Sequence, residues 1–406
     1  MNAPENGRGN DRGFEPTLGV LCELLGTDED CPPDELLHRA RTASYTLSPL
    51  LLSAAAHEGR RMGSGSEDEL RRHRSRLAVY AEIAAAVAPH GARVVKGPGL
   101  SRFQPDWVVR TSGDLDLLAA DEVALWRSAR IVADILPVYD LMLTVTGWGA
   151  GGHFMVGLFA PSEDPWLDPE LRVEIATYAY PGDCEAVPLR SAMPARESVA
   201  QLLAVAEERF QRGFTVRDVL DCAAVLASSE APNPAELAEA AAEANISPEL
   251  LELIDFARGF PSVAPVIAAA YGSALAEPAE AERERRTGLC PAVAEGSGPD
   301  GETVLERVQR KLVAGGSVAE RLRTAFPVFG MPLRVDGPFW PRDRAAVHAS
   351  GDFIVLTSPL GAFLLVTQEW VDPVQYRRAQ EFARELAQAQ AQTATAAESA
   401  APPSGS

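Results

Sequence analysis

The stretch of sequence that decides the fold is Arg110-Thr-Ser-Gly-Asp114-Leu-Asp116-Leu-Leu118. Apolar residues alternate with the two aspartates, which predicts a β-strand in which side chains two residues apart lie on the same face. Asp114 and Asp116 are therefore expected to project side by side. Because Asp is disfavoured in strands and like charges repel at short range, the pattern favours a cation between them. Mg²⁺, which prefers hard oxygen ligands and substrate phosphates, is the expected ion.

A third carboxylate lies in a later apolar strand pattern, Val173-Glu174-Ile175. Two-metal phosphoryl transfer needs a further acidic ligand, and an unpaired Glu within an apolar strand would be costly. Glu174 is therefore the candidate third metal ligand, which would complete the metal site or accept a proton from the acceptor. The alternative is that Glu174 is a solvent-facing residue of an edge strand that pairs with Arg172.

Basic and flexible residues precede the two aspartates. The segment Val94-Val95-Lys96-Gly97-Pro98-Gly99 places a strand end, a cation and glycines where backbone amides could meet the phosphates of a nucleoside triphosphate. Lys96, Gly97 and Arg110 are therefore the candidate nucleotide-binding residues. Arg102 is a further cation that could neutralise phosphate charge.

A strand that ends in Lys-Gly, followed by an Arg and an Asp-x-Asp strand, resembles the uncharacterised nucleotidyltransferase family of the polymerase-beta-type nucleotidyltransferase superfamily. The resemblance covers approximately residues 35–265 and includes Phe214-Thr-Val-Arg217-Asp218-Val-Leu-Asp221. It implies a nucleotidyltransferase fold in which Asp114 and Asp116 are metal ligands. It also implies that Glu174 is the third acidic position.

Hydrophobic periodicity and its interruptions predict an α+β protein with a mixed-sheet core, flanking helical segments and a small C-terminal α+β appendage. The resemblance implies that this core is nucleotidyltransferase-like. The predicted segments are a disordered tail (1–14), a helical region (15–66), the α/β core (67–190), a helical lobe (191–275), a linker (276–302), the appendage (303–386) and a second disordered tail (387–406). Strands are expected at 92–95, 114–118, 141–146, 153–159, 171–180, 353–356 and 362–367. Ser66 with Glu69 predicts a capping box for the first core helix, and a helix is expected at 303–314.

Several other residues have simpler interpretations than a catalytic one. Gly147-Trp-Gly-Ala-Gly-Gly152 matches neither a Walker sequence nor a dinucleotide-binding loop, so a hairpin turn is expected. His153 has no partner at metal-ligand spacing and is expected to be structural. Cys184 shares no motif with a histidine and is expected to be an inert thiol. The charged residues of 217–221 lie on one predicted helix and form either ion pairs with one another or part of an active site.

The composition limits the compartment and the partners. The chain of 406 residues carries 57 Asp and Glu against 37 Lys and Arg, a net charge of −20, which excludes a surface that coats nucleic acid. Its five cysteines show no CxxC spacing, so neither a disulfide framework nor a structural zinc site is expected. The sequence has no apolar run long enough for a membrane helix and begins with a polar segment unlike a secretory signal, which predicts a cytoplasmic protein.

These observations predict a metal-dependent nucleotidyltransferase. The expected reaction moves a nucleoside monophosphate from a nucleoside triphosphate, with ATP as the expected donor, onto an acceptor and releases pyrophosphate. The acidic surface favours a small-molecule, peptide or protein acceptor, and the Ala-, Arg- and Gly-rich composition suggests a bacterial specialised-metabolite pathway. Two alternatives stay open: a catalytically degenerate binding or scaffold protein with the same fold, and a toxin-like nucleotidyltransferase.

Overall fold

The computed structural model describes residues 13–28, 30–148, 152–183, 186–289, 316–323, 326–335, 343–368 and 371–400. These residues form thirteen α-helices and nine β-strands. They divide into two compact units. The first unit takes its described residues from Met1–Val79, Val95–Gly113 and Tyr180–Thr303, and the second takes them from Tyr80–Val94, Asp114–Ala179 and Val304–Ser406.

The first unit is helical. Its helices are α1 (Leu18–Leu24), α2 (Pro33–Ala43), α3 (Leu47–His57), α4 (Ser64–Val87, whose residues from Tyr80 on belong to the second unit), α5 (Pro98–Ser101), α7 (Glu197–Glu207), α8 (Val216–Leu226), α9 (Pro234–Glu243), α10 (Ser247–Arg258) and α11 (Ala269–Leu289). Helix α8 begins with a capping box in which Thr215 and Asp218 satisfy each other's backbone N–H groups. Every residue of α8 from Asp218 to Leu226 is buried, as is every residue of α7 from Ser198 to Glu207, so these two helices form much of the interior of the unit.

The second unit contains the sheet. Its strands are β1 (Ala92–Val94), β2 (Asp114–Ala119), β3 (Asp140–Thr146), β4 (His153–Ala160), β5 (Leu171–Ala176), β6 (Pro327–Leu333), β7 (Ala346–Ser350), β8 (Phe353–Ser358) and β9 (Gly361–Val366), and its helices are α6 (Glu122–Ile135), α12 (Val318–Arg323) and α13 (Pro373–Ala400). The strands lie in the order β1-β2-β5-β4-β3-β6-β9-β8-β7. Strands β2 and β5 run parallel, whereas every other pair of neighbours among the described strands is antiparallel.

One face of the sheet is apolar because hydrophobic residues alternate with polar ones along β2 and β5 in the same phase. Leu115 of β2 and Val173 and Ile175 of β5 are completely buried. Helix α6 lies against this sheet, and its Trp126 packs on Phe154 of β4 with 5.6 Å between the ring centroids. Burial of this face places the intervening polar side chains of β2 and β5 on the opposite face.

The C-terminal strands continue the same sheet. Strand β6 pairs with β3, with Leu143 opposite Gly330, and β9, β8 and β7 follow in turn. Helix α13 buries Ala379 and Ala383 against an apolar cluster from β6, β8 and β9. The appendage predicted at 303–386 therefore shares its sheet with the predicted core.

The mixed α/β character expected from the sequence is confirmed, but several elements differ from the prediction. Strand β5 ends at Ala176, and β6 and β7 are additional strands. Helix α4 begins at Ser64, before the predicted cap, and Glu69 accepts a hydrogen bond from Ser48 (2.5 Å) instead of closing a capping box. The tail expected at 1–14, apart from its last two residues, and the helix expected at 303–314 lie outside the described residues.

Two segments expected to be irregular are helical. Helix α11 extends to Leu289 through the first part of the predicted linker, because Glu282 pairs with Arg285 and Arg286 one turn later and Ala279 is buried. Helix α13 extends to Ala400, into the predicted C-terminal tail, whose alanine-rich sequence has high helix propensity. No helix among the described residues has the length and hydropathy that crossing a membrane requires.

The Gly330→Ala substitution tests the junction between β3 and β6. An added Cβ would lie 2.8 Å from Cδ2 and 3.0 Å from Cβ of the buried Leu143, so we expect a loss of about 1–3 kcal/mol in the free energy of unfolding, measured in urea. Gly65→Ala is the control, since its Cβ would meet nothing within 4 Å at this exposed position of helix α4, and it should stabilise the protein by up to about 1 kcal/mol. A Gly330→Ala protein as stable as the wild type would contradict this strand pairing.

Candidate functional site

The predicted metal ligands come together on one face of the sheet. In the parallel pairing of β2 with β5, Asp114 lies opposite Arg172 and Asp116 lies opposite Glu174. In-register neighbours on adjacent strands project to the same side, and residues two apart along a strand do the same. These four charged residues are only partly buried, whereas the apolar residues between them are fully buried. The face opposite the apolar core therefore carries three carboxylates and one guanidinium.

Arg172 supplies positive charge within this group. Its guanidinium forms an ion pair with Glu174, the next residue on the same face of β5. It also lies over the ring of Phe159, with 5.4 Å between Cζ and the ring centroid, and its backbone N–H donates to the Tyr80 hydroxyl (3.2 Å). The ion pair predicted as the alternative role of Glu174 is thus present, on the same face as Asp114 and Asp116.

The three predicted metal ligands share a face but do not form a metal-holding group. Within the part of the chain that the structure describes, no group of three or more His, Cys, Asp or Glu side chains is arranged to hold a metal. Mg²⁺ in phosphoryl-transfer sites uses one or two carboxylates together with substrate phosphates and water, rather than a cage built only of protein ligands. A Mg²⁺ ion at Asp116 and Glu174 would therefore need substrate phosphates and water as further ligands.

Arg110, a predicted phosphate ligand, lies in the first unit, where it pairs with Asp221 and the Gly97 carbonyl. Its side chain is 3% exposed and donates from Nε and Nη2 to the two carboxylate oxygens of Asp221 on α8, at 2.5 and 2.6 Å. Its Nη1 donates to the Gly97 carbonyl at 2.5 Å. Gly97 has φ +76°, in the left-handed region that favours glycine. Arg110 therefore anchors the backbone turn at Gly97 to helix α8.

Lys96 is also paired within the first unit. Its Nζ lies 2.5 Å from Oε1 of Glu208, and Arg212 approaches the same carboxylate at 3.4 Å. Burial alone would lower the pKa of Arg212, but hydrogen bonds and charge from Asp218 outweigh it and raise the pKa. A phosphate group that binds Lys96 would have to compete with the Glu208 carboxylate. Neither Glu208 nor Asp221 was identified from the sequence as a partner of these residues.

The charged residues of 217–221 form ion pairs. Arg217 Nε lies 3.9 Å from Oδ2 of Asp221, and its Nη2 donates to the Thr111 carbonyl at 3.2 Å. The neighbouring Cys222 is fully buried, and burial raises the pKa of its thiol to about 12, which suppresses the reactive thiolate. Among the described residues, the expected pairing within the segment is therefore limited to Arg217 and Asp221, since both aspartates are buried and pair mainly with Arg212 and Arg110 outside it.

Burial also raises the pKa of Glu207, although Arg190 pairs with it and the Gly182 N–H donates to it at 2.6 Å. This carboxylate belongs to the interior of the first unit, where it ties a loop to the end of α7. Burial is the largest cause of its shift, so the shift reflects packing and gives no separate indication of a catalytic acid.

The remaining candidates keep structural roles where they are described. Strands β3 and β4 are antiparallel neighbours with Thr146 opposite His153, so the glycine-rich stretch connects two strands of a hairpin, although residues 149–151 lie outside the described residues. The His153 ring packs edge-on against Tyr178, with 6.1 Å between centroids. Cys184 lies outside the described residues.

The predicted site residues are thus divided between the two units. The three predicted metal ligands belong to the second unit, and the three predicted nucleotide-binding residues belong to the first. Comparison with protein-family models, with curated proteins and with solved structures finds no match to this chain.

The Asp221→Ala substitution tests the role assigned to Arg110. It would leave the buried Arg110 guanidinium without its carboxylate, so we expect the free energy of unfolding in urea to fall by about 3–5 kcal/mol. The matched control is Glu230→Ala, which removes the partner of Arg102 from a pair in which both side chains are about half exposed. That substitution should cost less than about 1 kcal/mol. Equal losses in the two variants would contradict a structural role for the buried pair.

Proposed function

We propose that this chain is a cytoplasmic, metal-dependent nucleotidyltransferase that transfers a nucleoside monophosphate from a nucleoside triphosphate, ATP being the expected donor. The observation that supports it is the in-register placement of Asp116 opposite Glu174 on parallel strands, with Asp114 on the same face. Carboxylates grouped in this way are what a magnesium nucleotide complex requires of a protein. The resemblance of the Lys-Gly and Asp-x-Asp segments to nucleotidyltransferases points to the same reaction class.

The roles proposed for the three carboxylates are those that the resemblance to nucleotidyltransferases implies. Asp114 and Asp116 would hold Mg²⁺, which when bound neutralises the triphosphate and aligns the attacking and leaving groups. Glu174 would complete the metal site or hold the proton of the acceptor hydroxyl. Its ion pair with Arg172 is accessible to solvent on the arginine side, with 41% of that side chain exposed, so the carboxylate can exchange partners at little cost.

The charge of the chain restricts the acceptor. A net charge of −20 repels a long polynucleotide, so the proposed acceptor is a small molecule, a peptide or a protein side chain. A bacterial specialised-metabolite pathway is the proposed setting for such a reaction.

A second candidate function is a binding or scaffold protein that has lost catalysis. The ion pair between Arg172 and Glu174 supports it, because a guanidinium already balances one of the three carboxylates. The two candidates differ in whether Mg²⁺ is needed to bind the nucleotide.

Titration calorimetry with ATP separates the two functions. We expect ATP to bind the wild-type chain in the presence of Mg²⁺ and to bind at least about tenfold more weakly in its absence, because the carboxylates repel free phosphates. Asp114→Asn and Asp116→Asn should each weaken the magnesium-dependent binding by a similar factor. The control is Asp134→Asn, which removes one exposed carboxylate from helix α6 of the same unit and should leave binding unchanged.

The outcome that contradicts the enzyme is a wild-type chain that binds no nucleoside triphosphate with Mg²⁺ present. Nucleotide binding that needs neither Mg²⁺ nor the two aspartates would favour the scaffold. If nucleotide binding does depend on Mg²⁺ and the two aspartates, magnesium-dependent release of pyrophosphate in the presence of candidate acceptors would identify the acceptor class.

A further inference from the structure

The segment between β4 and β5 presents a fully exposed tryptophan. Residues 161–170, here called the Trp166 loop, have the sequence Pro-Ser-Glu-Asp-Pro-Trp-Leu-Asp-Pro-Glu. The side chain of Trp166 is 95% exposed and that of the adjacent Leu167 is 61% exposed. Tyr139, which is 63% exposed, is joined to the end of the loop by a hydrogen bond from its hydroxyl to Glu170. Trp166 and Leu167 thus present adjacent apolar surface to solvent.

The loop is ordered by its own backbone. The Trp166 N–H donates to the Asp164 carboxylate at 3.0 Å, which is an Asx turn, and the Leu167 and Asp168 N–H groups donate to the Asp164 carbonyl. The Ser162 hydroxyl donates to the Asp168 carbonyl at 3.0 Å, and the two ends of the loop meet where Ala160 pairs with Leu171. Prolines at 161, 165 and 169 fix further backbone angles. The conformation therefore does not depend on burying the indole.

Exposure of a tryptophan on a rigid loop favours binding. Trp and Tyr supply large contact areas, and Trp is among the residues that most often dominate the energy of protein interfaces. A loop that is already ordered loses little conformational entropy when it binds a partner. The apolar area of Trp166 is thus available for contact at low cost.

The charge around the tryptophan selects the partner. The loop contains four carboxylates, Glu163, Asp164, Asp168 and Glu170, and no Lys or Arg. Carboxylates at the rim of an aromatic patch attract a cationic partner and repel nucleic acids and anionic lipids. The face of an indole also binds guanidinium and ammonium groups through cation–π attraction. The chemistry that complements this loop is a basic peptide segment with apolar side chains.

We propose that the Trp166 loop is a docking site for a basic segment of a partner protein, with an Arg or Lys of that segment stacked on Trp166 and an apolar side chain packed on Leu167. The rim carboxylates strengthen the association through charge, so it weakens as salt is added. This docking does not require the nucleotidyltransferase activity proposed above and goes beyond it.

Fluorescence anisotropy with labelled synthetic peptides tests the site. The probes are a short peptide of alternating Arg and Leu and a matched peptide in which Glu replaces each Arg, titrated with the full chain. We expect the Arg-Leu peptide alone to bind, and Trp166→Ala to weaken its binding by about tenfold or more. Because Trp166 is almost fully exposed, the urea midpoint of this variant should equal that of the wild type.

Two further variants separate docking from general attraction to an acidic protein. Val374→Ala shortens another exposed apolar side chain of the same unit, at 51% exposure, and should leave peptide affinity unchanged. The double variant Glu163→Gln, Asp168→Asn should weaken binding several-fold and reduce its dependence on salt.

Three results would overturn the proposal. The first is a wild-type chain that does not bind the Arg-Leu peptide even at low salt. The second is an affinity that Trp166→Ala leaves unchanged, since the peptide would then be held by net charge alone. The third is Trp166-dependent binding to vesicles of phosphatidylcholine with no Trp166-dependent binding of the peptide, which would assign the loop to a membrane surface.

Discussion

The parallel pairing of β2 with β5 is the constraint on which the proposed site depends. Apolar residues alternate with charged residues in both strands, and the two alternations are in phase. A shift of one residue would turn the apolar set of one strand to the charged face and its charged set to the apolar face. Burial of Leu115, Val173 and Ile175 therefore fixes the register and, with it, the position of Asp116 opposite Glu174.

In the first unit, charged residues are buried in pairs, unlike the partly exposed charged residues of β2 and β5. Arg110 and Asp221 are almost inaccessible to solvent, and each satisfies the other through two hydrogen bonds. Such a pair adds little net stability compared with apolar packing, but the loss of one partner leaves a buried charge that is costly. The pair holds the Arg110 side chain in place, and the hydrogen bond that Arg110 donates to the Gly97 carbonyl keeps the turn at Gly97 in one conformation.

The sequence was sufficient for features that depend on local periodicity. The two-residue spacing of Asp114 and Asp116 placed both on one face of a strand, and the apolar residues around Glu174 identified β5. Partners far apart in sequence could not be predicted in this way: Asp221 lies 111 residues from Arg110, and nothing in the local pattern of either segment links them. Strand β6 was missed because Gly330 and Pro332 interrupt its apolar pattern.

Solvent exposure distinguishes the charged residues that can change partners from those that cannot. The pair of Arg172 and Glu174 is partly exposed, at 41% and 18%, and a pair in such surroundings contributes at most about 1 kcal/mol. In the proposed function, Mg²⁺, whose charge of +2 exceeds that of a guanidinium, would compete with Arg172 for that carboxylate. Arg110 has no such freedom, because its carboxylate partner is buried with it. The proposed site therefore uses the partly exposed charges of β2 and β5, whereas Arg110, a cation chosen from sequence spacing alone, has a structural role.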